Sequence, residues 1–482
     1  MKWTIFIILM VYFVGMFIIG VISNKKSKTV EDYYVAGRKL GGVLVALVYM
    51  SSLVSAGALV GWTGQAWSYG FWFIYAGCAV TIATFICWRF LSGKVMRISK
   101  KLDLLTVPDF LEARFESKAA RLISGIILLV FTVPLMVSQF KAAGILLNMV
   151  TGISYDLSVI VFGVIVFVYV AFGGYYAVVY TDAVQGGLVL VGIFVLLVTG
   201  LSAIGGNLGA QYAAVNPAGA TSWPTVGSAL TPIALIGVLM NNFFGALGAP
   251  NYIKGFYSLK SPKEQKRGYL IVMAIVCTIE LAIVVIGLCG RVIFPNLESP
   301  DHNVFNMIDK LLPQFLGGAV LAAIAAAMMS TMDGLLLMCA STVENDIMVK
   351  VFKMNITEKQ RVLVARITVV VIGVISVIWG LRPPVMLATL MYPAWGILGV
   401  SFALVFYGGL YWKRLNALGV CMGMGCGAAV FLAVSATKWS PFGMAPIMFG
   451  VIACVIATLI GTYASKPTSK ETLDKFFPEK TK

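Results

Sequence analysis

The sequence is 482 residues long, with 60% hydrophobic residues, 12% charged residues and a formal net charge of +16 at pH 7. A chain this apolar cannot fold as a water-soluble globular protein, so its composition predicts an all-α, polytopic membrane protein. The sequence has a single histidine and neither a glycine-rich phosphate loop nor a nucleophile elbow. We therefore expect no enzymatic activity, no cofactor and no ATP-driven transport.

Thirteen apolar stretches have the length that a bilayer requires of a helix. They predict a single membrane transport domain over residues 1–482 with a cytoplasmic tail at 464–482. The first stretch is as long as its neighbours and lacks a small-residue cleavage site, so we expect it to be retained as a helix. The predicted spans are 4–22, 41–66, 71–91, 119–150, 157–180, 183–204, 229–249, 268–294, 313–341, 363–381, 385–408, 415–437 and 442–463.

The basic residues predict the orientation of the chain. If the N-terminus lies outside, all but six of the 36 Lys and Arg residues fall in the inward connections and the C-terminal tail. This asymmetry follows the positive-inside rule and predicts a cytoplasmic C-terminus in the cell (inner) membrane. Charges spread over separate loops suit anionic lipid headgroups and argue against a nucleic-acid surface. The six exceptions are Lys2, Lys141, Arg291, Lys310, Arg382 and Lys438.

The second span is the first of two that fit a continuous helix poorly. Residues 41–70 read GGVLVALVYMSSLVSAGALVGWTGQAWSYG and carry Ser51, Ser52, Ser55 and Gln65 among several glycines. Serine and glycine at this density predict an unwound middle, which a membrane tolerates only where the backbone lines a cavity or is buried in protein. A Gly-rich helix that simply packs closely is the alternative.

A similar interruption is predicted in the seventh span. Its sequence is TPIALIGVLMNNFFGALGAPN, and Asn241, Asn242 and the Gly and Pro residues after them break an otherwise apolar run. Paired interrupted helices in corresponding positions point to the midplane binding site of an inverted-repeat transporter. Five spans begin with each interruption, which predicts a first repeat over 41–204 and a second, inverted repeat over 229–408.

The ninth span, LAAIAAAMMSTMDGLLLMCAS, places polar groups where hydrocarbon penalises them. An ionisable residue such as Asp333 costs at least ~2.5 kcal/mol there, so by default it marks a functional pathway. On a helix, Ala327, Ser330, Thr331 and Gly334 share an arc of about 100°. Adjacent hydroxyls with a freed carbonyl are hard, uncharged oxygen ligands, which indicates a candidate sodium site. A packing face with back-bonded Ser and Thr is the alternative.

Four motifs give the chain a resemblance to a known family. They are DYYVAGRKLGG (32–42), TVPDFLEARF (106–115), AFGGYYAVVYTDAVQGGL (171–188) and AAAMMSTMDGLLL with the trailing STVENDI (325–347). From about residue 5 to 460 the sequence resembles the sodium:solute symporters, which have a LeuT-type core of two inverted five-helix repeats. The resemblance implies an ion-coupled transporter.

The resemblance also implies a sodium site between the two polar spans. By position, its ligands are the carbonyls of Ser51, Val54 and Ala327 and the hydroxyls of Ser330 and Thr331. The hydroxyl face found from the residues and the family site therefore coincide.

Two acids are implied in ion coupling. Asp182, in the YTDAVQGG segment at the predicted cytoplasmic start of span six, matches a family acid that is linked to sodium coupling. Asp333 lies about one turn cytoplasmic of Ser330. Some relatives with a second sodium carry serines where this chain has Asp333 and Gly334. Asp333 is therefore open to three roles, which are strengthening a second cation site, holding a proton, and pairing with a cytoplasmic Lys or Arg.

The expected solute site is polar with one nearby cation. Such a pocket suits a small carboxylate, although a lysine near a helix end also snorkels to headgroups. The stretches VSA, SQFKAAGILL, GRVIFPNLESPD and RPPVM resemble sodium/pantothenate symporters, whereas GWTGQAW departs from their pattern. Pantothenate is thus the leading solute, and proline or another monocarboxylate stays open. The predicted lining is Ser55, Gln65, Gln139, Lys141, Asn241 and Asn242.

These observations together predict sodium-coupled import by alternating access, in which sodium favours the outward-open state. The expected partners are a sodium ion, a small organic solute and the lipid bilayer, without nucleic acid. Two other classes are the alternatives. A channel requires polar stripes along several helices, and a transporter-like solute sensor requires a signalling domain, for which a tail of ~20 residues is too short.

Overall fold

The computed structural model describes the chain except for residues 1–2, 26, 56, 216–230, 384–386 and 478–482, and describes only the backbone of 387–390. Lys2 therefore lies outside the described residues. The described chain is all-α, as its composition predicts. The helices are α1 (Trp3–Asn24), α2 (Val30–Val35), α3 (Gly42–Leu53), α4 (Thr63–Tyr69), α5 (Ile74–Ile86), α6 (Gly93–Lys101), α7 (Val107–Phe115), α8 (Lys118–Thr151), α9 (Tyr155–Ala203), α10 (Leu208–Val215), α11 (Pro232–Gly248), α12 (Pro250–Tyr257), α13 (Pro262–Ile293), α14 (Asn303–Leu311), α15 (Gln314–Ser341), α16 (Glu358–Gly380), α17 (Leu387–Tyr411), α18 (Ala417–Thr437), α19 (Pro446–Ala464) and α20 (Lys470–Phe476).

Eleven helical segments of the described chain are long and apolar enough to cross a bilayer. Two of them are longer than one crossing. Tyr155–Ala203 has 49 residues and would be about 73 Å long if straight, against ~30 Å of hydrocarbon. Gly57–Lys101 contains a 3-10 turn at Gly70–Phe73. The predicted number of thirteen spans is not confirmed, because these two segments each join what the sequence predicts as separate spans.

The break within α9 lies at Gly174 and not between residues 180 and 183, where the sequence predicts it. Gly174 has φ 59° and ψ −154°, a conformation open to glycine because a Cβ would clash with the backbone. The second half of α9 therefore begins about two turns before Asp182. This places Asp182 inside the helix, with its side chain fully buried, and not at the helix start.

The unwound middle predicted for the second span is present. α3 ends at Leu53, Val54 and Ser55 are non-helical, and a π-helical segment follows at Gly57–Trp62 before α4 begins. The chain thus crosses as two half-helices with an irregular segment between them.

The seventh span is also broken, at the proline end of the predicted interruption and not at its asparagines. Asn241 and Asn242 lie inside the continuous helix α11, and the break is at Ala249, where ψ is 115°. Pro250 causes it, because a proline disfavours the helical conformation in the residue before it and is itself well suited to the first position of the next helix.

Helix α15 lies at the centre of the molecule. Most of its side chains are buried, and it packs against α1, α3, α8 and α9. In contrast, α1 and α16 expose large apolar side chains such as Val11 and Ile378 on their outer faces. This arrangement suits a lipid-facing rim around a buried central helix.

An ion-pair network joins the connections on the predicted cytoplasmic side. The Arg121 guanidinium, at the start of α8, bonds to Asp109 at 2.6 Å, to Asp346 at 2.9 Å and to Glu112. The Thr106 hydroxyl donates to Asp346 at 2.7 Å. The network links the TVPDFLEARF motif to the VENDI segment after α15, so two separate sequence motifs meet in one structural unit.

Candidate functional site

The predicted sodium ligands of α3 and α15 lie together. The Ser330 hydroxyl donates to the Ser51 carbonyl at 2.9 Å, across two helices, and to the Ala327 carbonyl at 3.2 Å. The Thr331 hydroxyl donates to the Ala327 carbonyl at 3.1 Å. Four of the five predicted ligand groups are therefore joined by hydrogen bonds, in a buried region at the break of the second span.

The break explains why the α3 carbonyls are free to act. In a continuous helix the Ser55 N–H bonds to the Ser51 carbonyl, but here it bonds to the Leu53 carbonyl at 3.0 Å. The Ala58 N–H, the helical partner of the Val54 carbonyl, bonds instead to the Ser55 carbonyl at 3.0 Å. Irregular backbone thus releases the Ser51 and Val54 carbonyls from the helix ladder. The donor set of carbonyls and hydroxyls suits an alkali cation.

The two predicted coupling acids lie near one another, and Asp333 is about one turn from the hydroxyl pair on α15. Asp182 and Asp333 interact electrostatically, and both are fully buried. The Tyr169 hydroxyl donates to one carboxylate oxygen of Asp333. No described Lys or Arg forms an ion pair with Asp333, so the cytoplasmic partner considered from the sequence is replaced by a tyrosine.

The space around the two acids holds several acceptor oxygens without hydrogen-bond partners among the described residues. They are both carboxylate oxygens of Asp182, the second oxygen of Asp333 and the Gln185 amide oxygen. The Gln185 amide nitrogen donates to the Tyr12 hydroxyl at 3.0 Å. Buried oxygens in this state are satisfied by a cation, by a proton on a carboxylate or by an ordered water.

A central cavity adjoins the predicted sodium ligands. Of the predicted substrate residues, Ser55 and Gln139 line it. Thr331 lines the same cavity, so one side chain belongs both to the hydroxyl pair and to the cavity wall. The remaining lining is Ser52, Leu53, Trp62, Leu135, Asn251, Tyr252, Leu335, Met391 and Trp395.

The other predicted substrate residues lie outside this lining. The Gln65 amide oxygen accepts a hydrogen bond from the Tyr392 hydroxyl at 2.6 Å. Asn242 turns back on its own helix and donates to the Val238 carbonyl at 2.8 Å, because α11 is continuous there. Asn241 is buried against α17, where its amide oxygen faces Gly396.

Lys141 is buried, with 8% of its surface exposed, and does not line the cavity. It interacts electrostatically with Asp301, which lies in the connection between α13 and α14. Asp301 is itself 5% exposed. The structure therefore places Lys141 beneath this connection and away from the protein surface.

Sequence reasoning did not identify several residues of the site. Asn251 and Tyr252 line the cavity because the break at Ala249 turns α12 towards it. The signal available in the sequence was their position directly after the Ala249–Pro250 pair. Glu280, in the middle of α13, is 4% exposed and interacts electrostatically with Tyr252. An acid within an apolar span was its signal, the same one that identified Asp333.

Comparison with known proteins defines the class. The family model for the sodium:solute symporter family matches residues 33–427. The chain is 28% identical to a sodium/pantothenate symporter of Escherichia coli (strain K12), over 96% of each chain. It is 28% identical to the osmoregulated proline transporter OpuE of Bacillus subtilis (strain 168), over 98% of this chain and 96% of the other. It is 29% identical to a sodium/proline symporter of Staphylococcus aureus (strain JH9), over 97% of this chain and 94% of the other.

Solved structures agree on the fold. A substrate-bound, outward-open Na⁺-coupled sialic acid symporter superposes with a TM-score of 0.84 at 20% identity, covering 97% of this chain and 98% of that one. A nucleobase-cation-symport-1 family transporter in a closed conformation superposes with a TM-score of 0.55 at 14% identity, covering 93% of this chain and 98% of that one. At these identities the likeness shows the fold alone, which is the LeuT fold.

The family match and the relatives together define the class, which is an ion-coupled membrane transporter and not an enzyme. The chain belongs to the sodium:solute symporter family.

Proposed function

We propose that this protein imports a small organic carboxylate together with sodium, by alternating access, with pantothenate as the leading solute and proline as the alternative. The hydrogen bond from the Ser330 hydroxyl to the freed Ser51 carbonyl carries the proposal. This bond joins α15 to the broken second span. A sodium ion at this position would have hydroxyl and carbonyl ligands from α15 and carbonyl ligands from the second span. Sodium bound there holds the two elements in one relative position.

Sodium and solute are coupled in this proposal because their sites share Thr331. Its hydroxyl belongs to the sodium ligand set, and its side chain lines the cavity. A bound sodium fixes the Thr331 rotamer and the Ser51 and Val54 backbone, which orders the cavity wall at Ser55. Each ligand then favours the conformation that the other binds, as thermodynamic linkage requires.

Asp182 and Asp333 are proposed to be the second ion-linked element. Two buried carboxylates that interact cannot both stay ionised without a neighbouring cation or a shared proton. The Tyr169 hydroxyl satisfies one oxygen of Asp333, and the partnerless oxygens around Asp182 provide the remaining ligands. Charge uptake by this pair is therefore proposed to contribute to coupling.

Lys141 supports a carboxylate solute. It is a buried cation above the cavity, two residues after the lining residue Gln139 on α8. Its electrostatic neighbour Asp301 belongs to a connection that overlies the half-helix α4, since a side chain on Gly64 would meet the Pro300 carbonyl. We propose that the solute carboxylate approaches Lys141 when this connection moves.

The predicted orientation, with the N-terminus outside and the C-terminus cytoplasmic, completes the proposal. Uptake of radiolabelled pantothenate, proline and other monocarboxylates by the purified protein in liposomes tests it. We expect one of these solutes to accumulate only with an inward sodium gradient. Equal uptake in sodium and in potassium, or uptake that does not saturate, contradicts symport and favours a channel.

A further inference from the structure

A second cavity lies in series with the central one. Three helices, α8, α12 and α15, line both cavities. On α8 and α15 the residues of the second cavity lie on the predicted cytoplasmic side of those of the central cavity, with a shift of about 4.5 Å on α15, and on α12 Lys254 and Tyr257 do so while Pro250 does not. The pairs are Leu135 and Leu128 on α8, Tyr252 and Lys254 on α12, and Leu335 and Met338 on α15.

The cytoplasmic end of this second cavity is closed by hydrogen bonds. The Tyr257 hydroxyl, one turn beyond Lys254 on α12, donates to the Thr106 carbonyl at 3.1 Å. Thr106 is in turn held by Asp346 and the Arg121 network. The second cavity thus lies between the solute cavity and the closure on the predicted cytoplasmic side, where a solute leaving the protein must pass.

Lys254 gives this cavity its chemistry. It lines the cavity and is 7% exposed, yet its Nζ has no hydrogen-bond partner among the described residues. Its nearest aromatic group is the Tyr175 ring, whose centroid is 5.1 Å from Nζ. A ring face offsets part of the lost hydration of an ammonium but accepts none of its three N–H donors well. An anion that enters the cavity would supply the acceptor that this amine lacks and would favour its charged form.

The nearby acids do not fill that role. Asp109 and Asp346 are both bonded to Arg121, and the described lining of the cavity contains no carboxylate. The hydroxyls of Ser341, Thr342 and Tyr257 lie at the same space, but each donates its proton to a backbone carbonyl, that of Met338 or of Thr106, and is left as a hydrogen-bond acceptor. One unpaired ammonium beside acceptor hydroxyls matches a small, singly charged anion that also carries hydrogen-bond donors.

We propose that the second cavity, which in this conformation has room for about one water molecule, widens in the inward-facing state into an inner solute subsite, in which the Lys254 ammonium binds the carboxylate of the solute on its way to the cytoplasm. The inference rests on the proposed function. In the inward-facing state the carboxylate exchanges contacts at the central cavity for Lys254, which lowers the barrier to release. The affinity for solute on the cytoplasmic face then depends on Lys254, whereas the affinity on the outer face does not.

The test measures the KM for radiolabelled pantothenate on each face separately, at saturating sodium. Right-side-out membrane vesicles report the outer face and inside-out vesicles report the cytoplasmic face. For Lys254→Gln we expect the cytoplasmic-face KM to rise about tenfold or more, equal to about 1.4 kcal/mol. The outer-face KM and the sodium concentration for half-maximal uptake stay within about twofold of wild type.

Two variants control for charge and for position. Lys254→Arg keeps the charge and is expected to retain a cytoplasmic-face KM near wild type. Lys260→Gln removes an exposed lysine at the end of the same segment and is expected to be silent. The inference is overturned by an unchanged cytoplasmic-face KM in Lys254→Gln, by equal rises in the Gln and Arg variants, or by a changed sodium requirement in place of a changed solute KM.

A further measurement keeps the inference testable if Lys254→Gln does not accumulate in the membrane. In a Lys141→Gln background, pantothenate and its uncharged alcohol analogue pantothenol are each added to inside-out vesicles. Their inhibition of sodium-dependent uptake of the radiolabelled solute from the cytoplasmic face is then compared. We expect pantothenate to inhibit at about one tenth of the concentration, and equal inhibition overturns the inference.

Failure of this inference is distinct from failure of the proposed function. If wild-type vesicles take up neither pantothenate nor proline in a sodium-dependent manner, the proposed function is refuted. If they do, and Lys254 has no effect on the cytoplasmic-face KM for the transported solute, only the inner subsite is refuted.

Discussion

Removing the hydroxyls of Ser330 and Thr331 is the sharpest perturbation of the proposed sodium site. The double variant Ser330→Ala/Thr331→Ala deletes two of the five proposed ligand oxygens and the hydrogen bond that joins α15 to the Ser51 carbonyl. A contact between a neutral oxygen and a charged group contributes about 1.5–3 kcal/mol. Loss of one such contact therefore predicts a rise of about 10- to 100-fold in the sodium concentration for half-maximal uptake, and loss of both predicts more.

The assay is solute uptake into proteoliposomes as a function of external sodium at constant ionic strength. A matched control is Thr368→Ala/Ser376→Ala on α16, where both hydroxyls are buried and donate to carbonyls four residues earlier, at 2.9 and 2.8 Å. The control loses back-bonded hydroxyls without touching α3, so its sodium requirement should equal that of wild type. An unchanged sodium requirement in the Ser330/Thr331 variant, at normal protein level, refutes the assignment.

Three further predictions concern charged residues. Asp182→Asn should weaken sodium activation and leave the amount of folded protein nearly unchanged, and unaltered activation in the uptake assay would make Asp182 a structural residue. Lys141→Gln should raise the outer-face KM for a carboxylate about tenfold or more and leave sodium affinity unchanged, because it removes a charge-assisted hydrogen bond of ~1.5–3 kcal/mol. An unchanged KM would show that Lys141 does not select the anion. The Ser469 and Thr472 hydroxyls hold the pKa of Glu116 below its usual value, so the contribution of this contact to docking α20 is present at neutral pH and is lost as the pH falls through that pKa, whereas the packing of Phe476 on Phe110 stays. Glu116→Ala should make α20 accessible to protease in inside-out vesicles at neutral pH, whereas the control Glu471→Ala should not. Equal protection of α20 in wild type and in both variants would contradict the docking role of Glu116.

The sequence predicted the break in the second span because its cause is local. Serine and glycine around Ser51 and Ser55 make a continuous helix poor, and the structure unwinds at Val54 and Ser55. The hydroxyl face of α15 was equally predictable, since helical spacing alone brings Ala327, Ser330 and Thr331 together. The predicted contact with Ser51 came from the family resemblance.

The features that the sequence did not locate depend on tertiary packing. The break in α9 lies at Gly174 because it packs on Tyr33, which approaches to 2.6 Å of a Cβ built on that glycine, and nothing in the sequence distinguishes Gly174 from Gly173. The asparagine pair of α11 looked disruptive, but the Asn242 side chain bonds within its own helix. Lys254 stands in an apolar context only after α12 has been placed between α3, α6 and α15.

The central claim is that sodium and solute cross the membrane together. The most direct test is ²²Na⁺ entry into proteoliposomes that contain the purified protein, measured with no membrane potential, with and without the transported carboxylate outside. Coupled transport predicts that the carboxylate accelerates ²²Na⁺ entry, that the initial rates of the two fluxes keep a constant ratio, and that Ser330→Ala/Thr331→Ala lowers both. Sodium entry that is independent of the carboxylate would contradict symport.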